Sequence, residues 1–574
     1  MPHNVDRTVE KPLQIDRIIR VDMTTKSITE EISPARYALL GGRALGATML
    51  LEETDARVHP LSRDAKLFVC PGLLGGTAVT TSGRTSFSFK SPLTGGTKEA
   101  NVGGQLGHRL ARLGIKALVI DGATGDGFYR LDIDGDGARL SKADDLVGRS
   151  NYDLHRELVG EALMTRAAAT IGPAGERRMA SASVAITDPE GRPTRHAARG
   201  GPGAVMGAKG LKAIVVDDSA APRIISGDRK DEFRQEVTKF SKMVLEDPRT
   251  ANLSKTGTAG VVKFVNRENI QSMPTRNHRH GTWSLAETIS GQEIERLGSE
   301  RGGKMLPCMA GCIIKCAILF NDEHGNHVTT ALEFESIALL GSNSEIGPAD
   351  QVAELDRLCD DIGLDTIEVG NAIGVAMEAG VIPWGDWEGA KGLLEEVRAG
   401  TPLGRIIGGG TAHVARTFGI DRVPVVKGQG LPAWEPRTLK GMGVTYSTSP
   451  QGADHTAGMV TARGATADTL IKQSRHEQLV MMAIDSAGVC QFTNALPDDL
   501  AKFVTNRFDV QWDDAAVLAM ARAGIDAERE FNRRAGFDKE DDRLPKWLTE
   551  EALPLPDGES VFDISNELLD KVWG

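Results

Sequence analysis

The sequence predicts an α+β fold in three parts: a β-sheet domain over residues 1–220, then two mainly α-helical domains, 221–425 and 426–574. Three observations carry that prediction. Strand-like runs alternate with single helical stretches through the first part of the chain. From about residue 228 the apolar spacing turns helical. Ala220-Ala221-Pro222 marks the change, and the proline-rich patch Pro424–Pro436 marks a second boundary.

The chain has 574 residues, enough to bury several cores. Apolar residues make up 40% and charged residues 25%, which places it among ordinary globular proteins. A net charge of −12 argues against nucleic acid as a partner. It also suits a small acidic electron carrier only where a local basic patch exists. No run of about 18 apolar residues predicts a membrane span, and Met1–Arg7 carries no apolar signal core. With few cysteines, the expected location is the cytoplasm.

In order, Ile15–Val21 reads as an edge strand and Arg43–Glu53 as a helix after Gly41-Gly42. Ala65–Cys70 reads as a buried strand and Thr85–Lys90 as an alternating one. Gln105–Leu113 is helical and Lys116–Asp121 a strand. A hairpin runs through Phe128–Ile133, a turn at Asp134–Gly137, and Ala138–Leu140. Asp132, Asp134, Asp136 and Gly137 imitate the start of a calcium loop, but its twelfth position is Ala143 where a bidentate Glu is needed. Helices follow at Glu232–Leu245, Thr330–Leu340, Ala349–Ile362, Thr366–Ala379, Trp387–Ala399 and His476–Ile484. The acidic tail from Asp538 reads as a surface arm.

Two short segments repeat. Asp360-Asp361-Ile362-Gly363-Leu364-Asp365 and Asp485-Ser486-Ala487-Gly488-Val489-Cys490 both read D-x-x-G-(L/V), each at a predicted helix C-terminus. Glycine-rich loops occur at Gly41-Gly42, Gly72–Thr77, Gly95-Gly96, Asn101–Gly104 and Arg199–Lys209. None is a Walker A or a dinucleotide fingerprint. With Arg84, Lys90, Arg199 and Lys209 nearby, their backbone amides suit phosphate; tight turns between strands are the competing reading.

Cys308, Cys312 and Cys316 stand in a C-x3-C-x3-C cluster, with Cys490 far downstream. Three close thiolates and one remote are a common way to hold an iron–sulfur cubane. Structural zinc and buried, inert cysteines are the alternatives. A single helix would hold Cys308 and Cys316 roughly 12 Å apart, so the chain must turn inside the triplet, with Pro307 and Gly311 as turning points.

These motifs together resemble the aldehyde ferredoxin oxidoreductase family of tungsten or molybdenum bis-pterin enzymes. The stretches that carry the resemblance include Leu40–Arg43, Ser82–Arg84 with Lys90–Gly95, Asn101–Gly104, Ile171–Glu176, Gly203–Gly207 and Pro274–Asn277. The resemblance implies that the β domain is a base for two pterins, closed over by the helical domains. It implies tungsten or molybdenum held by the pterins and a [4Fe–4S] cluster on Cys308, Cys312, Cys316 and Cys490. Asp360, Gly363, Leu364, Asp365, Asp485, Gly488 and Val489 fall on the paired pterin motifs, with Gly103 and Gly203 in the same cofactor-binding set. Asn101 and Ala204 match the carbonyl ligands of a Mg2+ that bridges the pterin phosphates, and Arg84 an arginine between cluster and pterin.

Glu335 and His455 match the acid/base pair, with Glu333 the competing carboxylate. The implied reaction oxidises an aldehyde, with ferredoxin or a ferredoxin-like subunit as acceptor and either a homo- or a hetero-oligomer as the assembly. Two departures stand out. Well-known members use C-x2-C-x3-C, and the spacing here also occurs in branches assigned to 2-hydroxy acids. Glu354-Leu355-Asp356-Arg357 replaces the E-x-x-H of an interface iron. A non-catalytic electron-transfer subunit and a zinc-stabilised nucleotide-binding protein are the alternatives from other classes.

Overall fold

In the computed structural model, which describes residues 15–574, two six-stranded sheets form the first part of the chain. The first contains β1 (Arg17–Asp22), β2 (Ser27–Ile32), β3 (Leu67–Pro71), β4 (Thr85–Lys90), β5 (Thr97–Val102) and β6 (Ile115–Asp121), in the order β2-β1-β6-β3-β4-β5. The second contains β7 (Tyr129–Asp134), β8 (Gly137–Lys142), β9 (Arg166–Thr170), β10 (Val184–Ile186), β11 (Arg195–Ala197) and β12 (Leu211–Asp217), in the order β8-β7-β12-β9-β10-β11. Adding six to each label of the first sheet gives the second.

The pairing directions repeat as well. Each sheet has one parallel pair, β1 with β6 and β7 with β12, and is otherwise antiparallel. The helices Gly42–Glu53 and Asn151–Leu158 sit at matching places, as do Leu106–Arg112 and Pro202–Ala208. The β domain is therefore one supersecondary unit used twice.

Burial explains why these runs are strands. Every residue of Leu67–Pro71 and Thr85–Lys90 is buried, so β4 is covered on both faces, where its sequence suggests one wet face. The two sheets share one apolar core, including Leu67, Phe87 and Leu118 from the first and Ile133, Val184 and Ile214 from the second. β1 is an inner strand, paired on both sides, where the sequence suggests an edge. The Asp134–Gly137 turn closes the predicted hairpin.

The rest of the chain is mainly helical, and several predicted helices are found almost as read, including Ala349–Ile362, Thr366–Glu378 and Trp387–Ala399. Predicted His476–Ile484 is the end of a longer helix, Ala467–Ala487. Two expectations fail. Thr330 ends a strand, and the apolar run after it forms one helical turn, Phe334–Ser336, followed by a π-helical segment, Ile337–Gly341. Such π segments occur often at functional sites. The patch after Pro424 forms the two-stranded ribbon Val425–Val426 with Gln429–Gly430. The tail is not a surface arm, because Trp547, Leu548, Phe562, Val572 and Trp573 enter the main core. Among the described residues, no helix is long and apolar enough to cross a membrane.

The glycine loops serve close backbone packing. A Cβ on Gly72 would lie 2.1 Å from Gly488 Cα, and one on Gly172 2.3 Å from the Ile362 carbonyl oxygen. Gly72→Ala should therefore cost at least about 2 kcal/mol, since neither backbone can retreat. Gly392, exposed in the helix Trp387–Ala399, has nothing within 4 Å of an added Cβ, so Gly392→Ala should stabilise by up to about 1 kcal/mol. Thermal unfolding should show midpoints moving in opposite directions.

Candidate active site

Both D-x-x-G segments end helices. Gly363 caps Ala349–Ile362 at φ 78° and Gly488 caps Ala467–Ala487 at φ 77°, left-handed positions that glycine occupies without a Cβ penalty. Each cap docks on one copy of the repeated β unit at the same place. The Arg84 amide, just before β4, donates to the Gly488 carbonyl at 3.1 Å; the Ser183 amide, just before β10, donates to the Gly363 carbonyl at 2.9 Å. Gly72 and Gly172, which follow β3 and β9, press on the caps from below. A pseudo-twofold thus relates Arg84, Gly72, Asp485 and Gly488 to Ser183, Gly172, Asp360 and Gly363.

The strand registers extend the comparison. Ser86 pairs with Asn101 and Ala185 with His196, so His196 is the counterpart of Asn101. Arg84 Nε donates to Asn101 Oδ1 in one half, and Ser183 Oγ lies 2.8 Å from His196 Nδ1 in the other. His196 Nε2 is 3.0 Å from Asp360 Oδ1, off the line that a hydrogen bond needs. Ala204 is not at this equivalent position; it lies inside the helix Pro202–Ala208, after Gly203, which packs on Ser183. Leu364 bridges to Ala182, and Val489 closes the second cap through its amide to Ile484.

Asp365 caps the next helix, Thr366–Glu378, by accepting from the Ile367 amide at 3.0 Å. Burial pushes its carboxyl up to about 6, opposed by Arg199, whose Nη1 is 3.7 Å away. Burial and neighbouring Glu99 push Asp485 well above the carboxylate range, against the pull of Arg43 and Arg84.

Glu335 and His455 face each other, with His455 Nε2 3.7 Å from Glu335 Oε1. The Ala433 amide holds Glu335 Oε2 at 2.8 Å, so the proline-rich patch is the back wall of this pair. His455 opens a short turn that Asp454 caps through the Thr456 amide at 2.9 Å. Burial would raise the Asp454 carboxyl, but Lys98, buried and ion-paired to it at 2.5 Å, and Arg199 hold it well below the usual range. Arg199 also donates to the carbonyls of Gly430 and Ala453, at 2.8 and 2.5 Å. Glu333 points elsewhere: it pairs with Arg195 at 3.1 Å.

The cysteine triplet occupies the loop between β13 (Lys304–Leu306) and β14 (Ala317–Asn321), which pairs in turn with β15 (His327–Thr330). The expected turn lies at Gly311, φ 75°, and no helix forms there. The first β unit grips this loop: Gly104 donates to the Cys308 carbonyl at 3.0 Å and Thr80 to the Gly311 carbonyl at 2.9 Å. Gly103 faces the same loop, where an added Cβ would lie 3.2 Å from Met309 Cε and 3.5 Å from Cys308 Sγ. Cys490 donates its amide to Thr81 at 3.3 Å. Burial disfavours the Arg84 charge, but Cys490 and Cys308 beside it outweigh that and raise its pKa. The four thiols lie near enough to influence one another's ionisation. Among the described residues, no three Cys, His, Asp or Glu side chains close round a single ion.

The other predicted phosphate ligands are committed elsewhere. Lys90 donates to the Ala56 carbonyl, and Lys209 is buried on the carbonyls of Ser62 and Arg63. His278 is fully buried, with Nε2 3.0 Å from Asn371 Oδ1. His324 is exposed, but His327 is half-buried, where burial pulls it down to about 4.

A bis-pterin group fits what remains. Arg199 Nε and Nη1, His196 Nε2, Asp360 Oδ2, Asp365 Oδ2, Glu335 Oε1 and His455 Nδ1 are buried with no hydrogen-bond partner. Unsatisfied buried donors and acceptors on this scale are costly unless a polar ligand meets them. Pteridine amino and ring N–H groups suit the carboxylates, and the phosphates suit Arg199.

The match to known proteins covers this whole arrangement. Residues 18–218 match the family model "Aldehyde ferredoxin oxidoreductase, N-terminal domain", and residues 235–573 match "Aldehyde ferredoxin oxidoreductase, domains 2 & 3". The chain belongs to the aldehyde ferredoxin oxidoreductase family. It is 31% identical to a tungsten-containing aldehyde ferredoxin oxidoreductase of Pyrococcus furiosus over 94% of this chain and 92% of that one. A 26% identical relative from the same organism is an aliphatic sulfonate oxidoreductase, WOR-like subunit, covering 83% of this chain and 79% of its own. The active-site complex BamBC of benzoyl coenzyme A reductase shares the fold, with a TM-score of 0.79 at 19% identity over 93% of this chain and 91% of that one. The family implies a tungsten or molybdenum pterin and an iron–sulfur cluster, and the chain is an oxidoreductase.

Asp365 gives a pH signature. The folded chain keeps its proton up to about pH 6, whereas an unfolded Asp loses it near 3.9. Stability of the pterin-free chain should therefore fall as pH rises from about 4 to about 6, by roughly 2–3 kcal/mol from this group. Asp365→Asn should flatten that part of the profile, seen as a variant-minus-parent difference in unfolding midpoint across the window.

Proposed function

We propose that the chain is a tungsten- or molybdenum-bis-pterin oxidoreductase that converts aldehydes to carboxylates and passes electrons through a [4Fe–4S] cluster to ferredoxin or a ferredoxin-like subunit. The observation that carries this reading is the pseudo-twofold, which mounts two helix caps on two copies of one β unit and brings the Cys490 end of one cap to the cysteine triplet. Asp360, Gly363, Leu364 and Asp365 would hold one pterin and Asp485, Gly488 and Val489 the other, with Arg84 between the second pterin and the cluster. Cys308, Cys312, Cys316 and Cys490 would hold the cluster. The Asn101 and Ala204 carbonyls would hold a Mg2+ beside the pterin phosphates.

When bound, the pterin group would supply two-electron redox chemistry, and a cluster on Cys308, Cys312, Cys316 and Cys490 would supply one-electron transfer. The protein's own contribution is proton chemistry. Glu335, steadied at Oε2 by the Ala433 amide, accepts the proton released as water oxygen adds to the carbonyl carbon. His455 donates a hydrogen bond to the carbonyl oxygen. The Lys98–Asp454 pair fixes the turn that aims it.

The relative acting on sulfonates keeps a wider substrate range in view. A viologen-linked screen should show turnover with aldehydes above that with 2-hydroxy or 2-oxo acids; the reverse order would move the assignment to the other branch. Glu335→Gln should lower kcat by about 10²–10⁴-fold, and full turnover would remove Glu335 from the mechanism. Cys490→Ser should lose the 400 nm cluster absorbance while retaining pterin.

A further inference from the structure

Leu332–Glu335 sends its two carboxylates in opposite directions, Glu335 to His455 and Glu333 to Arg195. Strand register shows what Glu333 is near. β14 and β15 pair Leu319 with Thr330, and the Ala331 amide donates to the Ile318 carbonyl at 2.8 Å. Ala331 then leaves the strand at φ 79°. The Phe334 amide donates to Thr258 Oγ1 at 2.9 Å, and the neighbouring Gly257 packs on the Cys316 carbonyl, where an added Cβ would lie 2.8 Å away, so Glu333 and Cys316 converge at one end of the hairpin. Arg195 is buried at the start of β11, donating to Glu333 at 3.1 Å and to the Thr330 carbonyl at 3.3 Å, with its Nε buried and unpartnered. The Glu333 side chain is 42% exposed and that of Arg195 9%.

We infer that the Arg195–Glu333 pair sets the reduction potential of the iron–sulfur cluster from its outer side. The inference rests on the reading that the four cysteines hold such a cluster. Reduction adds one negative charge to the cluster. Buried Arg195 favours that added charge and Glu333 opposes it, while Arg84 acts from the pterin side. Removing Glu333's charge eases reduction, and removing Arg195's hinders it. Both are positioning residues: they act through the cluster and touch no substrate. Glu333 thus complements Glu335, one carboxylate serving the electron exit and the other the proton.

The test is an EPR-monitored redox titration of the purified holoenzyme. Glu333→Gln should raise the midpoint, changing the oxidised-to-reduced ratio at a fixed potential by roughly three- to tenfold, where tenfold is 59 mV for a one-electron couple. Glu333→Asp should restore most of the parent value. Arg195→Met should lower the midpoint. Should Arg195→Met fail to fold, the Gln and Asp pair at position 333 still decides the matter. A salt bridge that only ties the hairpin to the second sheet predicts lower unfolding midpoints with unchanged potentials, and that result overturns the inference. So do shifts of the same sign in Glu333→Gln and Arg195→Met. A parent enzyme with no cluster signal overturns the cluster reading itself, and is distinguishable from both.

Discussion

The structure depends on glycine meeting glycine across the boundary between sheet and helix. Gly72 lies so close to Gly488 that no Cβ fits between them, and Gly172 stands in the same relation to the end of the helix that Gly363 caps. Two backbones in contact leave amides and carbonyls free to pair at short range, as Arg84 does with Gly488 and Ser183 with Gly363. Each helix end is thereby fixed to a strand end, with its Asp carboxylate held beside the junction. A larger residue at any of these glycines would push the caps off the sheets and open the site.

Because the junction is made twice, the site has two similar halves with different chemistry. The Arg84 half is joined to the cysteines, since the residue after Gly488 and Val489 is Cys490 itself. The Ser183 half has His196 and Asp360 where the first has Asn101 and Asp485. The repeated topology accounts for two places of similar build, and only the first of them runs on into a cysteine. The proposed acid/base pair is supplied from outside the repeat. Glu335 comes from the helical turn that precedes the π-helical segment and His455 from a turn anchored by buried Lys98 and Asp454.

Local features were legible in the sequence. The two D-x-x-G segments announced themselves as helix caps, the cysteine spacing demanded a turn, and many helices followed from apolar period. The β repeat was not legible, because Leu-Phe-Val-Cys-Pro in β3 and Arg-Ala-Ala-Ala-Thr in β9 share position but no residue. Equal burial can be met by large or by small apolar side chains, so topology repeats where sequence does not. The tail misled for a related reason: Trp547, Phe562 and Trp573 are anchors without period, set among acidic residues. Ala433 was invisible in principle, since its contribution to Glu335 is a backbone amide. His196 could have been found only by aligning the two β units.

The central claim is that the duplicated junction holds two pterins about one metal, with one cluster at the Cys490 side. The most direct measurement is the ratio of iron, tungsten or molybdenum, and pterin per chain in the purified protein. This account predicts about four iron atoms, one tungsten or molybdenum atom and two pterins. Iron with no heavier metal, or one pterin per chain, would contradict it.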